Sequence, residues 1–418
     1  MEPLSLTLQS LQRSPCANWP SIDYAGEWFS PVQRNPMFSV TIDATSVLPK
    51  PSGIGLYTLN LIQELDRLRQ PENFELRISF QPSLKGLLKG QFNYPEQLRP
   101  YSPLIRTFPF PVRFSNWFLR FPQLFPFVES QFGKPDIYHG TNYMVFPFRH
   151  SKRVATVYDL TFIKYPQFAT ATVKAYAQQL RRCLRWTDLI VTISESSKRD
   201  IVEYLGFPAD RIVTTYPASR LTTADIPSPS AIADVPYPFS KPYILFVSTI
   251  EPRKNIATLI QAFEQLKARD RINHDLVLIG QKGWLYESIF DQITRSPYRD
   301  QIHHLSYLSD AAVAYFLAQA NVFVYPSLYE GFGLPVLEAM TLGAPVVTSN
   351  TSSIPEVAGN AALLVDPQDV DALSHAIGQV IGDRTLRQQL ITQGYQQATK
   401  FSWAETAKQT LNAYRLLA

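Results

Sequence analysis

Short apolar segments alternate with amphipathic segments along most of the chain. Residues 38–43 (FSVTID) alternate apolar and polar side chains and are rich in β-branched residues, which predicts a strand. A glycine loop at 52–55 follows, and residues 56–68 place leucines at helical spacing. The same reasoning predicts further strands at 76–80, 136–139, 154–158, 189–193, 212–215, 243–247, 276–279, 302–305, 322–325, 346–348 and 363–365. This alternation predicts an α/β protein.

Proline and serine concentrate between residues 227 and 242, so we place an interdomain linker there. The strands after the linker are almost continuously apolar, as in parallel sheets that are buried on both faces. We therefore predict two Rossmann-like, doubly wound domains, at 37–226 and 243–400. Residues 1–36 read as an irregular extension, and 401–418 as an amphipathic helix that packs back on the first domain. Ligands of such folds bind at the carboxyl ends of the strands, which predicts a cleft between the domains.

The strongest local pattern is residues 325–340 (YPSLYEGFGLPVLEAM). A strand ends near Tyr325, a loop with two glycines follows, and Pro335 suits the first turn of a helix because no N–H is lost there. The free N–H groups of that turn form an anion site, and Gly331 and Gly333 allow the backbone to approach the anion closely. We expect a diphosphate as the ligand.

Two glutamates flank this turn. Glu330 precedes the helix and Glu338 lies about one turn into it. Because carboxylates repel phosphate, they suit neutral hydroxyl groups instead, which assigns Glu338 to a ribose and Glu330 to a sugar. The alternative is that Glu330 is a loop charge and Glu338 belongs to a solvated helix face.

This stretch resembles the Glu-x7-Glu motif of the retaining glycosyltransferases of family 4, which have the GT-B fold. Matching segments also occur at 246–255, 343–347, 353–357 and 401–403, so the resemblance runs from about residue 37 to the end of the chain. It is strongest to mannosyltransferases that extend bacterial surface polysaccharides. It implies transfer of a hexose, mannose or glucose-like, from a GDP-, UDP- or dTDP-linked sugar to a hydroxyl of a glycan or lipid-linked acceptor, without a cofactor.

Arg253 and Lys254 follow the first strand of the second domain, where two cations could hold the donor diphosphate. The resemblance matches Lys254 to the lysine of the family; the arginine of the family often occupies the position of Thr249, and Arg253 is a substitute. We assign catalytic roles to Glu330, Arg253, Lys254, Tyr158 and Asp159. The resemblance assigns donor binding to Gly53, Gly55, Ser248, Thr249, Tyr307, Leu308, Gly331, Phe332, Gly333, Leu334 and Glu338.

Tyr158 stands where relatives commonly have a histidine near the transferring sugar. A tyrosine can donate a hydrogen bond but carries no positive charge at neutral pH. This departure keeps two other hypotheses open: a catalytically weak, sugar-nucleotide-binding assembly subunit, and a nucleotide-sugar epimerase. His139 and Asn142 are weaker acceptor-side candidates at the end of another strand, and a structural role for His139 is the alternative.

Asp369 and Asp371 resemble the Asp-x-Asp of metal-dependent transferases. They follow Asp366-Pro367 at the start of a late helix, so we interpret Asp369 as an N-cap and predict no catalytic metal.

Composition and charge bear on the location. Two cysteines outside any cluster, no long apolar run and no secretory pattern at the N-terminus lead us to expect a cytoplasmic protein. Residues 101–220 hold 16 Lys/Arg against 8 Asp/Glu, and 108–132 are dense in aromatic residues. We therefore expect peripheral contact with the inner face of a membrane; the alternative is that the aromatic segment is buried core. No motif indicates nucleic-acid binding.

Overall fold

The computed structural model of the 418-residue chain describes residues 38–49, 53–82, 94–108, 111, 121, 129–168, 171–232 and 234–418. The predicted extension at 1–36, residue Ser52 of the glycine loop and most of the aromatic segment at 108–132 lie outside the described residues.

The first half forms a parallel sheet, in which the described strands number seven and follow the order β3-β2-β1-β4-β5-β6-β7. The strands are β1 Ser39–Asp43, β2 Glu75–Phe80, β3 Ile105–Thr107, β4 Ile137–Gly140, β5 Lys152–Val157, β6 Leu189–Thr192 and β7 Ile212–Thr214. The helices are α1 Gly53–Leu68, α2 Thr161–Lys164, α3 Ala171–Cys183 and α4 Glu195–Leu205. Only β3 was not predicted: it has three residues, lies at the sheet edge and buries Ile105 alone, so it carries almost no hydrophobic pattern.

The second half forms another parallel sheet, whose six described strands follow the order β10-β9-β8-β11-β12-β13. The strands are β8 Tyr243–Val247, β9 Asp275–Ile279, β10 Ile302–Leu305, β11 Val322–Tyr325, β12 Val346–Ser349 and β13 Ala362–Val365. The helices are α5 Ile256–Arg269, α6 Glu287–Arg295, α7 Asp310–Gln319, α8 Leu334–Thr341, α9 Ile354–Ala358, α10 Val370–Gly382 and α11 Arg384–Ala398. The predicted fold class, with two Rossmann-like sheets, is confirmed.

Both sheets reverse their strand order beside their first strand. β1 lies between β2 and β4, and β8 lies between β9 and β11. At such a switch point, the loops that leave the two central strands diverge and open a crevice. The loops after β8 and β11 therefore meet at one place, and these are the loops that carry Arg253, Lys254 and Glu330.

The glycine loop of the first domain differs from the prediction. α1 begins at Gly53, not at residue 56, so Gly53 and Gly55 lie in its first turn. A glycine followed by a leucine-rich helical pattern does not tell whether the helix starts before or after the glycine, because a first turn tolerates either.

The last helix, α12 Trp403–Arg415, packs against α1 of the first domain. The rings of Tyr57 and Trp403 meet edge to face, and Arg415 forms an ion pair with Glu72 at 2.7 Å. Between the sheets, residues 227–242 contain one 3-10 helix, Pro229–Ile232, and no strand in their described part. The domain limits given above stay a prediction.

His139 lies in the interior, which corrects its assignment to the acceptor side. Its Nδ1 is 2.6 Å from the hydroxyl of Tyr414 on α12, and its Nε2 is 2.7 Å from Oγ1 of Thr156 on β5. The side chain has no solvent exposure, and burial lowers its pKa to about 3. His139 is therefore a neutral residue that links the first sheet to the last helix through hydrogen bonds.

This burial predicts a pH dependence of stability. Below pH 6.5 the unfolded chain gains a proton on this imidazole and the folded chain does not, so the free energy of unfolding falls as the pH drops from about 6.5 towards 3. The slope that one such group adds is at most about 1.4 kcal/mol per pH unit. In urea unfolding at several pH values between 7.5 and 5, we expect His139→Gln to lose less stability on acidification than the wild type. Substitution of the exposed His150 by Gln is the control, and an unchanged slope in His139→Gln would contradict the assignment.

Candidate active site

Glu330 is the centre of a buried cluster in the loop between β11 and α8. Its Oε1 accepts hydrogen bonds from Lys254 Nζ at 2.6 Å, Ser327 Oγ at 2.6 Å and Tyr325 OH at 3.0 Å. Its Oε2 is 3.0 Å from a guanidinium nitrogen of Arg253. The loop after β8 and the loop after β11 are thus joined by one carboxylate, and the sequence-predicted cations and Glu330 do come together.

Glu330 stays ionised despite its burial. Burial alone would raise the pKa of Glu330, but Arg253 and Lys254 outweigh it and lower that pKa to about 2. Arg253 also pairs with Glu251 at 2.7 Å and donates to the carbonyl of Tyr329 at 2.6 Å. Removing one member would leave another charge buried without its partner, which costs several kcal/mol, typically about 3–5.

The two glycines of this loop are required by the packing and the backbone conformation of the fold, whereas the anion contact that we predicted for them stays a prediction. A Cβ on Gly331 would lie 2.7 Å from the carbonyl oxygen of Tyr158 and 3.0 Å from Cβ of Asp159. Gly333 has φ +108°, a conformation that favours glycine, and a Cβ there would meet Ile354 at 2.6 Å. Gly331 is therefore required for the close approach of the two domains.

The N-terminal part of α4 contacts the Glu330 loop of the second domain. Ser197 Oγ lies 2.8 Å from the carbonyl oxygen of Tyr158 and 3.3 Å from that of Gly331. The hydroxyl of Tyr329 donates to Asp200 at 2.7 Å. These contacts fix the loop of Glu330 against the carboxyl end of β5.

Glu356 of α9 adds a second interdomain contact on the same helix. Its carboxylate accepts hydrogen bonds from the backbone N–H groups of Glu195 at 2.8 Å and Ser196 at 2.7 Å. An anion at a helix N-terminus satisfies free donors and interacts favourably with the helix dipole. The second domain thus caps a helix of the first.

Two family models match the chain. "Glycosyltransferase Family 4" matches residues 51–219 and "Glycosyl transferases group 1" matches residues 232–397. A relative, the O-antigen chain mannosyltransferase B of Escherichia coli, is 38% identical over 287 residues, which cover 68% of this chain and 75% of that protein.

The chain belongs to the family 4 glycosyltransferases. The serotype-specific mannosyltransferase WbdA of Escherichia coli is 32% identical over 55% of this chain, a match that spans 29% of WbdA. Among solved structures, sucrose-phosphate synthase from Thermosynechococcus elongatus has a TM-score of 0.68 at 21% identity and covers 91% of this chain and 99% of its own. Anabaena HepE in complex with UDP and glucose has a TM-score of 0.65 at 17% identity, over 91% of this chain and all of its own. These neighbours show the GT-B fold.

The side chain of Tyr158 of the glycosyltransferase is buried, and its catalytic assignment stays a prediction. Its hydroxyl donates to the carbonyl of Thr141 at 2.7 Å, and its ring meets Tyr57 edge to face. Burial raises the pKa of Tyr158 well above its usual value, so the phenol stays neutral. Its backbone, not its hydroxyl, contacts the loop of Glu330.

Asp159 lies close enough to the loop of Glu330 to act on the cations there. Its Oδ1 accepts the N–H of Thr161 at the start of α2, at 2.9 Å, and its charge acts on Arg253. Its Oδ2 would be 3.4 Å from a Cβ on Gly331. Asp159 is therefore a first-domain residue whose charge acts on the cluster of cations.

Glu338 is buried, contrary to the alternative of a solvated helix face. It lies in α8 and accepts a hydrogen bond from Arg220 Nε at 2.8 Å. Arg220 in turn contacts Asp310 at the start of α7 at 2.6 Å. The predicted start of α8 is close to the observed one, since Pro335 occupies its first turn.

The other predicted donor residues lie at the carboxyl ends of the strands of the second sheet or beside them. Ser248 and Thr249 follow β8, and Tyr307 and Leu308 follow β10. Tyr307 is 65% exposed, an unusual state for an aromatic side chain, whereas Phe332 is buried. Leu334 starts α8. Asn142, the other acceptor-side candidate, is half-buried after β4.

Asp369 caps α10: its Oδ1 accepts the N–H of Ala372 at 2.8 Å. The predicted N-cap is therefore confirmed. No group of three or more metal-ligating side chains occurs in the part of the chain that the structure describes.

Sequence reasoning missed four residues of the site: Arg220, Glu251, Ser327 and Glu356. Glu251, Ser327 and Glu356 lie within the segments 246–255, 325–340 and 353–357 that resemble the family, so each had a local signal. Arg220 gave no local signal, because its partners are 90 and 118 residues away.

The close approach at Gly331 gives a test. We expect Gly331→Ala to lower the free energy of unfolding by about 1–3 kcal/mol, because a methyl group would have to displace backbone of the other domain. Transfer activity should fall at least tenfold, since the cluster would separate from Asp159. The measurements are urea unfolding and initial rates.

Gly382→Ala is the matched control, because a Cβ there meets nothing within 4 Å. It lies at the end of a helix, where alanine costs nothing. A Gly331→Ala variant as active and as stable as Gly382→Ala would contradict the role of this contact.

Proposed function

We propose that the enzyme transfers mannose from a nucleotide diphosphate mannose to a hydroxyl of a growing surface polysaccharide or its lipid-linked precursor, with retention of the anomeric configuration. The observation that carries the proposal is the buried cluster of Glu330, Arg253 and Lys254 at the switch point of the second sheet. The similarity to the O-antigen chain mannosyltransferase B supports mannose and a polysaccharide acceptor.

The diphosphate of the donor binds at Arg253 and Lys254 in this proposal. Both cations are held in place before a ligand arrives: Arg253 by Glu251 and Glu330, and Lys254 by Glu330. Fixed cations in a water-poor site stabilise the charge that develops on a leaving phosphate without reorganising. The N-terminus of α8 adds partial positive charge. The proposal includes no metal or other cofactor, because these groups supply the positive field.

The departing phosphate takes the proton of the acceptor hydroxyl on the face of the sugar that it leaves. The new glycosidic bond then forms on that same face, which retains the configuration. The protein contributes by positioning the two substrates and stabilising charge, and effective molarities from such positioning are large. In this proposal Glu330 contacts hydroxyls of the transferred sugar, and Asp159, which comes from the first domain and acts on Arg253, faces the acceptor.

The nucleoside extends away from the cations. Glu338 accepts hydrogen bonds from the ribose hydroxyls, and the loop of Tyr307 and Leu308 covers the base. The exposed ring of Tyr307 supports this, since an aromatic face that is free in solvent is suited to stacking.

The reaction takes place at the inner face of the membrane in this proposal. The excess of basic residues between 101 and 220 supports contact with anionic head groups, where a lipid-linked acceptor would be presented. Within the described residues, no helix combines the length and apolar character that a bilayer crossing requires.

The test is a panel of GDP-, UDP- and dTDP-linked hexoses, with and without a lipid-linked glycan. We expect transfer from a mannose donor, a product with the donor's anomeric configuration by NMR, and unchanged rates in EDTA. Lys254→Met and Arg253→Met should each reduce kcat/KM by about a hundredfold to a thousandfold, because each removes a preorganised charge at the leaving group.

Lys408→Met, on the exposed face of α12, is the control for the loss of one positive charge. Full activity of Lys254→Met would overturn the role of the cluster. Interconversion of the donor without an acceptor would identify an epimerase, and nucleotide binding without any transfer would indicate an assembly subunit.

A further inference from the structure

Arg220 lies outside both sheets, in the segment that follows β7. Its Nε donates to Glu338 Oε1 at 2.8 Å, and its Nη1 donates to Asp310 Oδ1 at 2.6 Å. One residue from the end of the first domain thus contacts two helices of the second, α8 and α7.

The two partners of Arg220 are in different environments. The side chain of Glu338 is 6% exposed, whereas that of Asp310 is 56% exposed. A pair on an exposed carboxylate is worth little, but a buried carboxylate without a cation is strongly disfavoured. Glu338 is therefore the partner that depends on Arg220.

The neighbours of Glu338 offer no other compensation. Val336, Leu337, Ala339 and Met340, which flank it in α8, are buried and apolar. Among the described residues, the charged groups that act on Glu338 are Arg220 and Asp310, and Asp310 is an anion. Burial raises the pKa of Glu338, and Arg220 is the group that opposes this rise.

The geometry leaves one oxygen of Glu338 available. Arg220 occupies Oε1, and none of the described residues donates a hydrogen bond to Oε2. An ionised carboxylate oxygen accepts hydrogen bonds from hydroxyl groups, whereas a protonated carboxyl group loses part of that capacity. Arg220 also offsets the negative charge of the Glu338 carboxylate, which would otherwise repel a nearby diphosphate.

The segment of Arg220 is itself anchored. The indole N–H of Trp403 on α12 donates to the carbonyl of Ser219 at 3.2 Å, and Leu221 is buried in the core. The backbone next to Arg220 is therefore fixed by Trp403, and its guanidinium group is fixed by the carboxylates of Glu338 and Asp310.

We infer that Arg220 is the positioning residue that keeps the Glu338 carboxylate ionised and directs its free oxygen to the ribose hydroxyls of the donor nucleotide. The inference rests on the proposed function, because the ribose is the ligand that the proposal gives to Glu338. Arg220, which lies in the segment after β7 of the first sheet, thus completes the nucleotide site of the second domain.

The experiment compares GDP and UDP with their 2′,3′-dideoxy forms by isothermal titration calorimetry. The wild type should bind one of the two natural nucleotides at least tenfold more tightly than its dideoxy form. Arg220→Met should weaken the natural nucleotide by about tenfold to a hundredfold and bind both forms alike. Arg220→Lys should restore part of the preference. A purely structural ion pair would not change the preference for ribose hydroxyls.

Kinetics and a double variant provide the second readout. In Arg220→Met, KM for the donor should rise while kcat at saturation stays within about threefold of the wild type, because uniform binding is lost. The acid limb of kcat/KM should move towards neutral pH. Glu338→Gln should lose as much binding as Arg220→Met, and the double variant should lose no more. Arg415→Met, which removes the half-buried pair with Glu72, is the control.

The outcomes separate this inference from the proposed function. If the wild type binds no nucleoside diphosphate, the proposed function itself fails. If the wild type binds and Arg220→Met keeps the wild-type affinity and ribose preference, the inference is wrong and the proposed function stands. If Arg220→Met does not fold, Arg220→Gln decides, because it also removes the charge, and an unchanged ribose preference with an unchanged pH profile in that variant would overturn the inference.

Discussion

The buried pairing of Glu330 with Lys254 and Arg253 is the interaction on which the site depends. It places two cations and a carboxylate where desolvation is costly, and it is stable because each charge has a partner within 3.0 Å. The pairing joins the loops after β8 and β11, which the strand order already brings together. The strand order therefore brings the two loops together, and the ion cluster fixes their side chains relative to one another.

The second constraint is the closeness of the two domains. Gly331 has no Cβ, which permits backbone contact with Tyr158, and Glu356 caps the first turn of α4 across the same boundary. The approach at Gly331 is one of backbone to backbone, so side-chain motion alone cannot release it. The arrangement of Asp159 relative to Arg253 follows from these contacts. The contacts between the two domains thus come from groups that have no role in the proposed chemistry.

Some site residues could be predicted because their signal is local. Glu330 and Glu338 stand in one loop and one helix, and Lys254 directly follows a strand with a clear apolar pattern. The burial of Tyr158 was not predicted, and that of His139 was only the alternative, for a common reason. A residue at the end of a strand can point into the cleft or into the core, and local sequence does not decide between them. Thr141 accepts the hydroxyl of Tyr158, and Tyr414 contacts His139 from a helix 275 residues away.

The sequence by itself determined the fold class, most strands, the capping of α10 by Asp369 and the switch-point loop of Glu330. Those features depend on hydrophobic period, caps and glycine positions, which are properties of neighbouring residues. Tertiary structure alone decided the burial of Glu338, its pairing with Arg220 and the interdomain role of Gly331. These depend on contacts between residues far apart in the chain, and a buried charge finds its partner only when the fold brings distant segments together.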